Sequence, residues 1–114
     1  MSPIPLQLRS GRVLPAARSR SETAPIRVLI GDSDGEFRRL LRTSFAADPS
    51  IEVVGEADDG ELALQLVRWL RPDVALLDED MPSFGAAAIA RVLRSELSET
   101  RVVVLTRHAA GTPG

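Results

Sequence analysis

Short apolar runs and amphipathic segments alternate along the middle of the chain. Four runs have the length and composition of strands that are buried on both faces. They cover residues 26–31, 51–57, 73–78 and 101–106. The three segments between them have apolar side chains at helical spacing, and they cover residues 34–47, 58–71 and 86–97. The pattern therefore predicts the element order β-α-β-α-β-α-β.

The spacing within each amphipathic segment predicts which side chains of the helix face the core. For the three helices in order, these sets are Phe37, Leu40, Leu41 and Phe45; Leu62, Leu66, Trp69 and Leu70; and Ile89, Ala90, Leu93 and Leu97. Trp69 is accordingly expected to pack in or beside the core, not to bind a ligand. Ser33 and Glu36 have the S-x-x-E spacing of a capping box, which predicts that Ser33 caps the first helix.

Strands that alternate with helices predict an α/β fold with a parallel sheet and right-handed crossovers. In such a sheet all strands end at the same edge, where ligands of open α/β folds bind. Polar residues stand at the ends of three predicted strands, namely Asp32, Asp78 and Thr106. We therefore expect these side chains to converge at that edge.

Converging carboxylates suggest a cation site. Carboxylates in a cleft repel one another unless a cation lies among them, and Mg²⁺ typically binds one or two of them together with waters and a phosphate. An aspartate beside that ion can act as a nucleophile and form an aspartyl phosphate. The hydroxyl of Thr106 would then hold a phosphoryl oxygen. The structural alternative is that Asp32, Asp78 and Asp80 only cap helices or lie in loops.

Composition narrows the class of protein. The chain has 114 residues, 44% of them apolar, which suits one small domain with a core. No apolar run is long enough to span a bilayer. The chain has no cysteine, which excludes disulfides and fits a cytoplasmic location. Residues 26–114 have a net charge of −5, so we expect no broad face that binds polyanions.

Residues 1–25 differ from the remainder in composition. They contain four prolines and scattered arginines, with a net charge of +3 and no sustained period, and this predicts a disordered extension. The low acid content resembles a transit peptide, and the arginines suit an anionic surface. A flexible tail, or a start codon assigned too far upstream, explains the same composition.

Four stretches carry a resemblance to a known family: "IRVLIGDSDGEFRRLL", "IEVVGEADDGELAL", "RPDVALLDEDMP" and "TRVVVLTRH". In order and spacing, residues 26–108 resemble the receiver domain of bacterial two-component response regulators, most closely the NarL/LuxR type. The resemblance implies a flavodoxin-like, doubly wound parallel sheet. The family's strand order is 2-1-3-4-5. We expect 2-1-3-4 here, with the chain truncated before the fifth strand and last helices, and residues 109–114 as a flexible tail.

The resemblance also implies roles for individual residues. Asp78 would accept a phosphoryl group from a sensor histidine kinase, and Thr106 would be the switch hydroxyl that follows that group. Asp32, Asp78 and the backbone carbonyl of Asp80 would hold Mg²⁺, whereas the side chain of Glu79 is expected to be solvated. The chain would be no enzyme beyond its own phosphorylation and dephosphorylation. Neither DNA nor a membrane is an expected partner.

Three departures from the family bear on this activity. Receivers have a second acid where this chain has Ser33, so weakened Mg²⁺ binding is expected, although Asp34 stands at the next position. The family uses a lysine at the end of its fifth strand, whereas all fourteen basic residues here are arginine. The rigid fork of Arg107 is a poor replacement for that lysine. The absent elements would leave residues 102–105 as an exposed edge, which predicts a homo-oligomer.

Alternative functions remain open on the sequence. A degenerate receiver would act by protein contact without phosphorylation, or would be a remnant fragment. The D-x-D of Asp78, Glu79 and Asp80 also resembles the motif of Mg²⁺-dependent phosphohydrolases of the haloacid-dehalogenase type, although Met81 and Pro82 depart from that motif. A flavin-binding flavodoxin is disfavoured because "DSDGE" is acidic where a phosphate needs N–H and hydroxyl donors.

Overall fold

The computed structural model describes residues 24–106, and its elements follow the predicted order. The strands are β1 (Ile26–Gly31), β2 (Ile51–Ala57), β3 (Val74–Asp78) and β4 (Arg101–Leu105). The helices are α1 (Gly35–Ala46), α2 (Gly60–Leu70) and α3 (Ala86–Ser95). The predicted tail and all but the last two residues of the predicted N-terminal extension lie outside the described residues.

The four strands form one parallel sheet in the order β2-β1-β3-β4. This confirms the predicted doubly wound sheet and its strand order. The connection from β1 to β2 runs in one direction across the sheet, and the next two connections run in the other. Because crossovers between parallel strands are right-handed, α1 lies on one face and α2 and α3 lie on the opposite face.

The main core lies between the sheet and the pair of helices α2 and α3. On the strand side, Leu29, Ala75 and Leu77 are fully buried. Val67 of α2 and Ile89 of α3 pack against them and are also buried. Burial of an aliphatic side chain of this size stabilises the fold by about 1.5–3 kcal/mol. This core holds β1 and β3 together at the centre of the sheet.

The opposite face of the sheet is covered by α1 alone among the described residues. Val28 and Ile30 of β1 are buried there, since successive side chains of a strand point to opposite faces. No residue of α1 is itself buried, and Leu40 is 65% exposed. The prediction that Leu40 faces the core is wrong because α1 packs mainly against β2, and Leu40 lies on the flank that this strand does not cover.

Three more side chains predicted to face the core are exposed: Leu62 is 38% exposed, Trp69 is 79% exposed and Leu97 is 88% exposed. Leu62 comes two positions before the buried Leu64, which places it on the solvent side of α2. In α2, Trp69 comes two positions after the buried Val67, which places it about 200° around the helix and on the solvent side. Leu97 is exposed because the third helix is shorter than predicted. α3 ends at Ser95, and Leu97 follows with a positive φ of 58°.

Asp73 links the strands at the amino end of the sheet. Its carboxylate accepts a hydrogen bond from the backbone N–H of Arg27 at 2.8 Å, and its own N–H donates to the carbonyl of Arg27 at 2.8 Å. The carbonyl of Asp73 accepts from the N–H of Arg101 at 2.9 Å. These bonds set the register of β1, β3 and β4 at the residues where the strands begin.

Glu56 of β2 links the sheet to α1 through two arginines. Its carboxylate accepts from Nε of Arg38 at 3.0 Å and also pairs with Arg42. Burial acts to raise the pKa of Glu56, but the hydrogen bonds and positive charges of Arg42 and Arg38 outweigh it, so the pKa is lowered. Arg38 also donates to the carbonyl of Asp32, so this ion pair supports the loop after β1.

Glu56→Gln is expected to make the free energy of unfolding depend less steeply on pH under acid conditions. Because folding lowers the pKa of Glu56, its contribution is present above the unfolded pKa and is lost as the pH falls through the folded pKa. The free energy of unfolding should therefore fall more steeply for the wild type than for the variant between about pH 6 and about pH 3. Denaturant unfolding at a series of pH values measures this difference. Glu52→Gln, exposed on the same strand, is the control, and parallel profiles for wild type and Glu56→Gln would contradict the prediction.

Candidate functional site

Asp32 and Asp78 stand side by side at the carboxyl edge of the sheet. β1 and β3 pair with Gly31 opposite Leu77, so the next residue of each chain segment is one of the two aspartates. Paired strands lie about 4.8 Å apart. Asp32 is 0% exposed and Asp78 is 8% exposed. The strand register thus places two acidic side chains next to each other in a buried region.

The same local turn follows both strands and orients both carboxylates. Oδ1 of Asp32 accepts from the N–H of Asp34 at 2.9 Å, and Oδ1 of Asp78 accepts from the N–H of Asp80 at 3.1 Å. A side chain that bonds the backbone two residues further on is typical of aspartate in turns. The N–H of Asp32 also donates to the carbonyl of Ala57, at the end of β2, at 3.0 Å.

The residue that caps α1 is Asp34. Its Oδ1 accepts from the N–H of Glu36 at 3.0 Å and from the N–H of Phe37 at 3.2 Å. The predicted capping box is wrong, because α1 begins at Gly35, one residue later than a cap at Ser33 requires. Ser33 is exposed. The carboxylate of Asp34 is therefore engaged at the amino end of α1.

Asp80 lies in the loop after β3 with an exposed side chain. Within residues 24–106, no three His, Cys, Asp or Glu side chains are gathered into a group that could hold a metal ion. The structure therefore does not assemble Asp32, Asp78 and Asp80 as three carboxylates. The buried pair Asp32 and Asp78 would fit Mg²⁺, because that ion needs only one or two carboxylates and retains several waters.

Thr106 follows β4, and its hydroxyl donates to Oε2 of Glu79 at 2.8 Å. β3 and β4 pair with Asp78 opposite Leu105, so Glu79 and Thr106 are the next opposing residues. The N–H of Glu79 donates to the carbonyl of Leu105 at 3.1 Å and continues the pairing. The side chain of Glu79 is exposed, as expected, but it also accepts a hydrogen bond that the sequence did not predict.

Two glycines allow the loop after β3, residues 79–85, to pack closely beside the site. A Cβ atom at Gly60 would lie 1.9 Å from the carbonyl oxygen of Phe84. A Cβ atom at Gly85 would lie 1.9 Å from the carbonyl oxygen of Glu79. Real Cβ atoms do not approach this closely, so only glycine fits at either position in this backbone arrangement.

Met81 anchors the same loop in the core, where it is 5% exposed. It lies over Gly31, at which a Cβ atom would meet Cδ2 of Leu77 at 2.7 Å and Sδ of Met81 at 3.3 Å. Gly31 and Met81 therefore position the loop that follows Asp78 and carries Asp80. Sequence reasoning missed these residues because the contacts join distant segments and leave no local periodicity.

Comparison with known proteins agrees with this geometry. Residues 28–112 match the family described as the response regulator receiver domain. The chain belongs to this family. Receiver domains take part in two-component signalling, and phosphoryl acceptance and Mg²⁺ binding at an acidic pocket are general to them. No helix in the described part of this receiver domain is long and apolar enough to cross a membrane.

Curated relatives match the receiver domain over part of their length. The chain is 40% identical over 90 residues to the probable transcriptional regulatory protein NarL of Mycobacterium tuberculosis, which covers 79% of this chain and 42% of that protein. It is 41% identical over 91 residues to protein-glutamate methylesterase/protein-glutamine glutaminase 2 of Anaeromyxobacter dehalogenans, covering 79% of this chain and 26% of that protein. The chain thus spans less than half the length of either relative.

Solved structures confirm the flavodoxin-like receiver fold. The signal receiver domain of the response regulator NarL from Mycobacterium tuberculosis superposes with a TM-score of 0.73 at 40% identity, covering 79% of this chain and 71% of that domain. The response regulator domain of Thermotoga maritima CheB superposes with a TM-score of 0.68 at 30% identity, covering 72% of this chain and 60% of that domain.

Gly60→Ala is expected to destabilise the receiver domain by about 2 kcal/mol or more, because the added methyl group forces the loop away from α2. Thermal or denaturant unfolding measures the change. Gly35→Ala is the matched control, since its Cβ would meet Arg38 at an ordinary 3.5 Å, and it should be neutral or stabilising by up to about 1 kcal/mol. Equal stability of wild type and Gly60→Ala would contradict the close packing.

Proposed function

We propose that this receiver domain accepts a phosphoryl group on Asp78 from the phosphohistidine of a sensor histidine kinase. Asp32, Asp78 and the backbone carbonyl of Asp80 would hold Mg²⁺, and Thr106 is the hydroxyl that responds to the phosphoryl group. The observation that carries the proposal is the burial of Asp32 and Asp78 side by side at the carboxyl edge of the sheet.

Burial distinguishes this pair from acids with purely structural roles. Asp34 and Asp59 cap α1 and α2, and neither of them is buried. An aspartate can therefore cap a helix without being buried. Two neighbouring carboxylates in a buried region carry a cost of desolvation and mutual repulsion that a bound cation offsets. The positions of Asp32 and Asp78 thus support a cation-dependent role.

Phosphoryl transfer to Asp78 is a displacement at phosphorus. A carboxylate oxygen of Asp78 forms a bond to phosphorus, and the bond from phosphorus to the histidine nitrogen breaks with its electron pair remaining on nitrogen. The N–H of Asp80 binds Oδ1 of Asp78, which orients the carboxylate and leaves Oδ2 for the attack. When bound, Mg²⁺ neutralises negative charge on the phosphoryl oxygens.

The departure at Ser33 weakens this site. Ser33 is exposed and Asp34 caps α1, so Asp32 is the residue of this loop that is placed for the ion. We propose that Mg²⁺ binds more weakly than it would beside a second acid. Arg107, which the sequence offers as a poor replacement for the family lysine, lies outside the described residues.

Incubation of the purified chain with a small phosphodonor and Mg²⁺ is expected to add the mass of one phosphoryl group, measured on the intact protein. Asp78→Asn removes the nucleophile and should abolish the addition, whereas Asp58→Asn, an exposed acid after β2, is the control that should retain it. Ser33→Asp should reach the same extent at lower Mg²⁺ concentration.

An unchanged mass of the folded wild type at every Mg²⁺ concentration would refute phosphoacceptance and favour the degenerate receiver. Rapid and continuous release of phosphate from an aryl phosphate would instead indicate the phosphohydrolase alternative, because a receiver releases phosphate only as fast as its own aspartyl phosphate is hydrolysed.

A second candidate function is protein contact through β4. In the described sheet β4 pairs with β3 on one side only, and Val103 and Val104 are 40% and 47% exposed. An exposed apolar edge strand is a template for pairing with another strand. We propose that a second copy of this chain binds there, so that the two β4 strands pair and cover the valines.

Val103→Lys is expected to weaken this self-association about tenfold or more, because an edge lysine places a charge where the second copy would bury an apolar side chain. Analytical ultracentrifugation over a concentration series measures the dissociation constant. Leu97→Lys is the control, since Leu97 is 88% exposed and lies in the loop between α3 and β4, outside the pairing strand. A monomeric wild type at all concentrations would rule out the β4 contact.

The sensor kinase is the proposed upstream partner, and a cytoplasmic location stays a prediction from the sequence. The names of the relatives, a transcriptional regulator and a methylesterase, describe whole proteins of which 42% and 26% match this chain. Neither DNA binding nor esterase activity is therefore proposed for this receiver domain.

A further inference from the structure

We infer that Glu79 is a positioning residue that holds the hydroxyl of Thr106 away from the phosphoryl site until Asp78 is phosphorylated. This inference deepens the proposed function and rests on it. It assigns to the residue directly after the phosphoacceptor a role in setting how readily the site binds a phosphoryl group. The observation behind it is the hydrogen bond from the Thr106 hydroxyl to Oε2 of Glu79 at 2.8 Å.

The strand register makes this contact a property of the fold. Asp78 is opposite Leu105 in the pairing of β3 and β4, and the bond from the Glu79 N–H to the Leu105 carbonyl extends the pairing by one step. Opposing residues of paired strands point to the same face, and successive residues point to opposite faces. Thr106 is therefore on the same side as Glu79, and on the side opposite to Asp78.

A threonine hydroxyl has a single proton and can donate it to one acceptor at a time. In the structure that acceptor is the carboxylate of Glu79. A phosphoryl group on Asp78 needs the same proton for one of its oxygens. The two acceptors therefore compete, and the hydroxyl must leave Glu79 before it reaches the phosphoryl group.

The type of acceptor sets the strength of the competition. A hydrogen bond to an ionised carboxylate is about twice as strong as one between neutral groups. Both Glu79 and Thr106 are exposed, so water weakens the bond and allows it to break when a better acceptor is present. Glu79 thus holds the Thr106 hydroxyl through a hydrogen bond that breaks when the phosphoryl group is present.

The test is the affinity of the whole chain for beryllium trifluoride with Mg²⁺, an analogue of the phosphoryl group on aspartate. Glu79→Ala removes the competing acceptor and should tighten binding about 3- to 10-fold, the range expected for one exposed hydrogen bond. Glu79→Gln keeps an acceptor oxygen without the charge and should lie between wild type and Glu79→Ala. Calorimetric titration measures each dissociation constant.

Two controls separate positioning from a general effect of charge. Asp58→Ala removes one exposed acid at the same edge of the sheet and should change affinity much less than Glu79→Ala. In a Thr106→Ala background, the effect of Glu79→Ala should vanish, because no hydroxyl is left to be released. Equal affinity of wild type and Glu79→Ala overturns the inference. A gain that persists without the hydroxyl, or that Asp58→Ala reproduces, overturns it as well.

A measurement without metal or phosphoryl analogue keeps the inference separate from the proposed function. The ¹³C shift of the Thr106 methyl group reports its side-chain rotamer, and Glu79→Ala should change this shift in the Mg²⁺-free protein, with Glu79→Gln restoring part of it. If no variant binds the analogue but the methyl shift responds, the proposed function fails and the positioning of Thr106 by Glu79 stands. An unchanged methyl shift overturns the inference.

Discussion

The register between β1 and β3 is the constraint on which the site depends. Asp73 sets it at the amino end through paired bonds with the backbone of Arg27, and Gly31 stands opposite Leu77 at the carboxyl end. A slip of one residue would turn every side chain of a strand to the other face. Asp32 and Asp78 would then no longer neighbour each other in one buried region, so the chemistry of this receiver domain follows from how its two central strands pair.

The two faces of the sheet are stabilised unequally. α2 and α3 bury a shared apolar core with β1 and β3, whereas α1 contributes no buried residue and is tied to β2 by the ion pairs of Glu56 with Arg38 and Arg42. The same arginine, Arg38, contacts the carbonyl of Asp32. Polar contacts therefore support the site on the face of the sheet that α1 covers. Apolar packing supports it on the face that α2 and α3 cover.

The loop after β3 joins the core to the phosphoacceptor edge. Met81 is buried over Gly31, and the absence of a side chain at Gly60 and Gly85 lets the loop backbone approach α2 and its own beginning. Its first residue, Glu79, continues the β3–β4 pairing and meets Thr106. A change at Asp78 is therefore linked to β4 through a hydrogen bond one residue away, and β4 is also the exposed edge of the described sheet.

The resemblance to receiver domains implied the strand order. Periodicity in the sequence determined the order of elements, the parallel sheet and the arrival of Asp32, Asp78 and Thr106 at one edge, because these depend on local spacing and on the common direction of parallel strands. Periodicity failed where helix phase, helix length or contact with a distant segment decides the position of a side chain. Trp69 and Leu97 are apolar at plausible spacing, but helix phase and helix length turn them to solvent. The glycine contacts and the bond between Glu79 and Thr106 also come only from the tertiary structure. Each joins groups whose distance depends on the packing of the whole domain, and no local pattern encodes that distance.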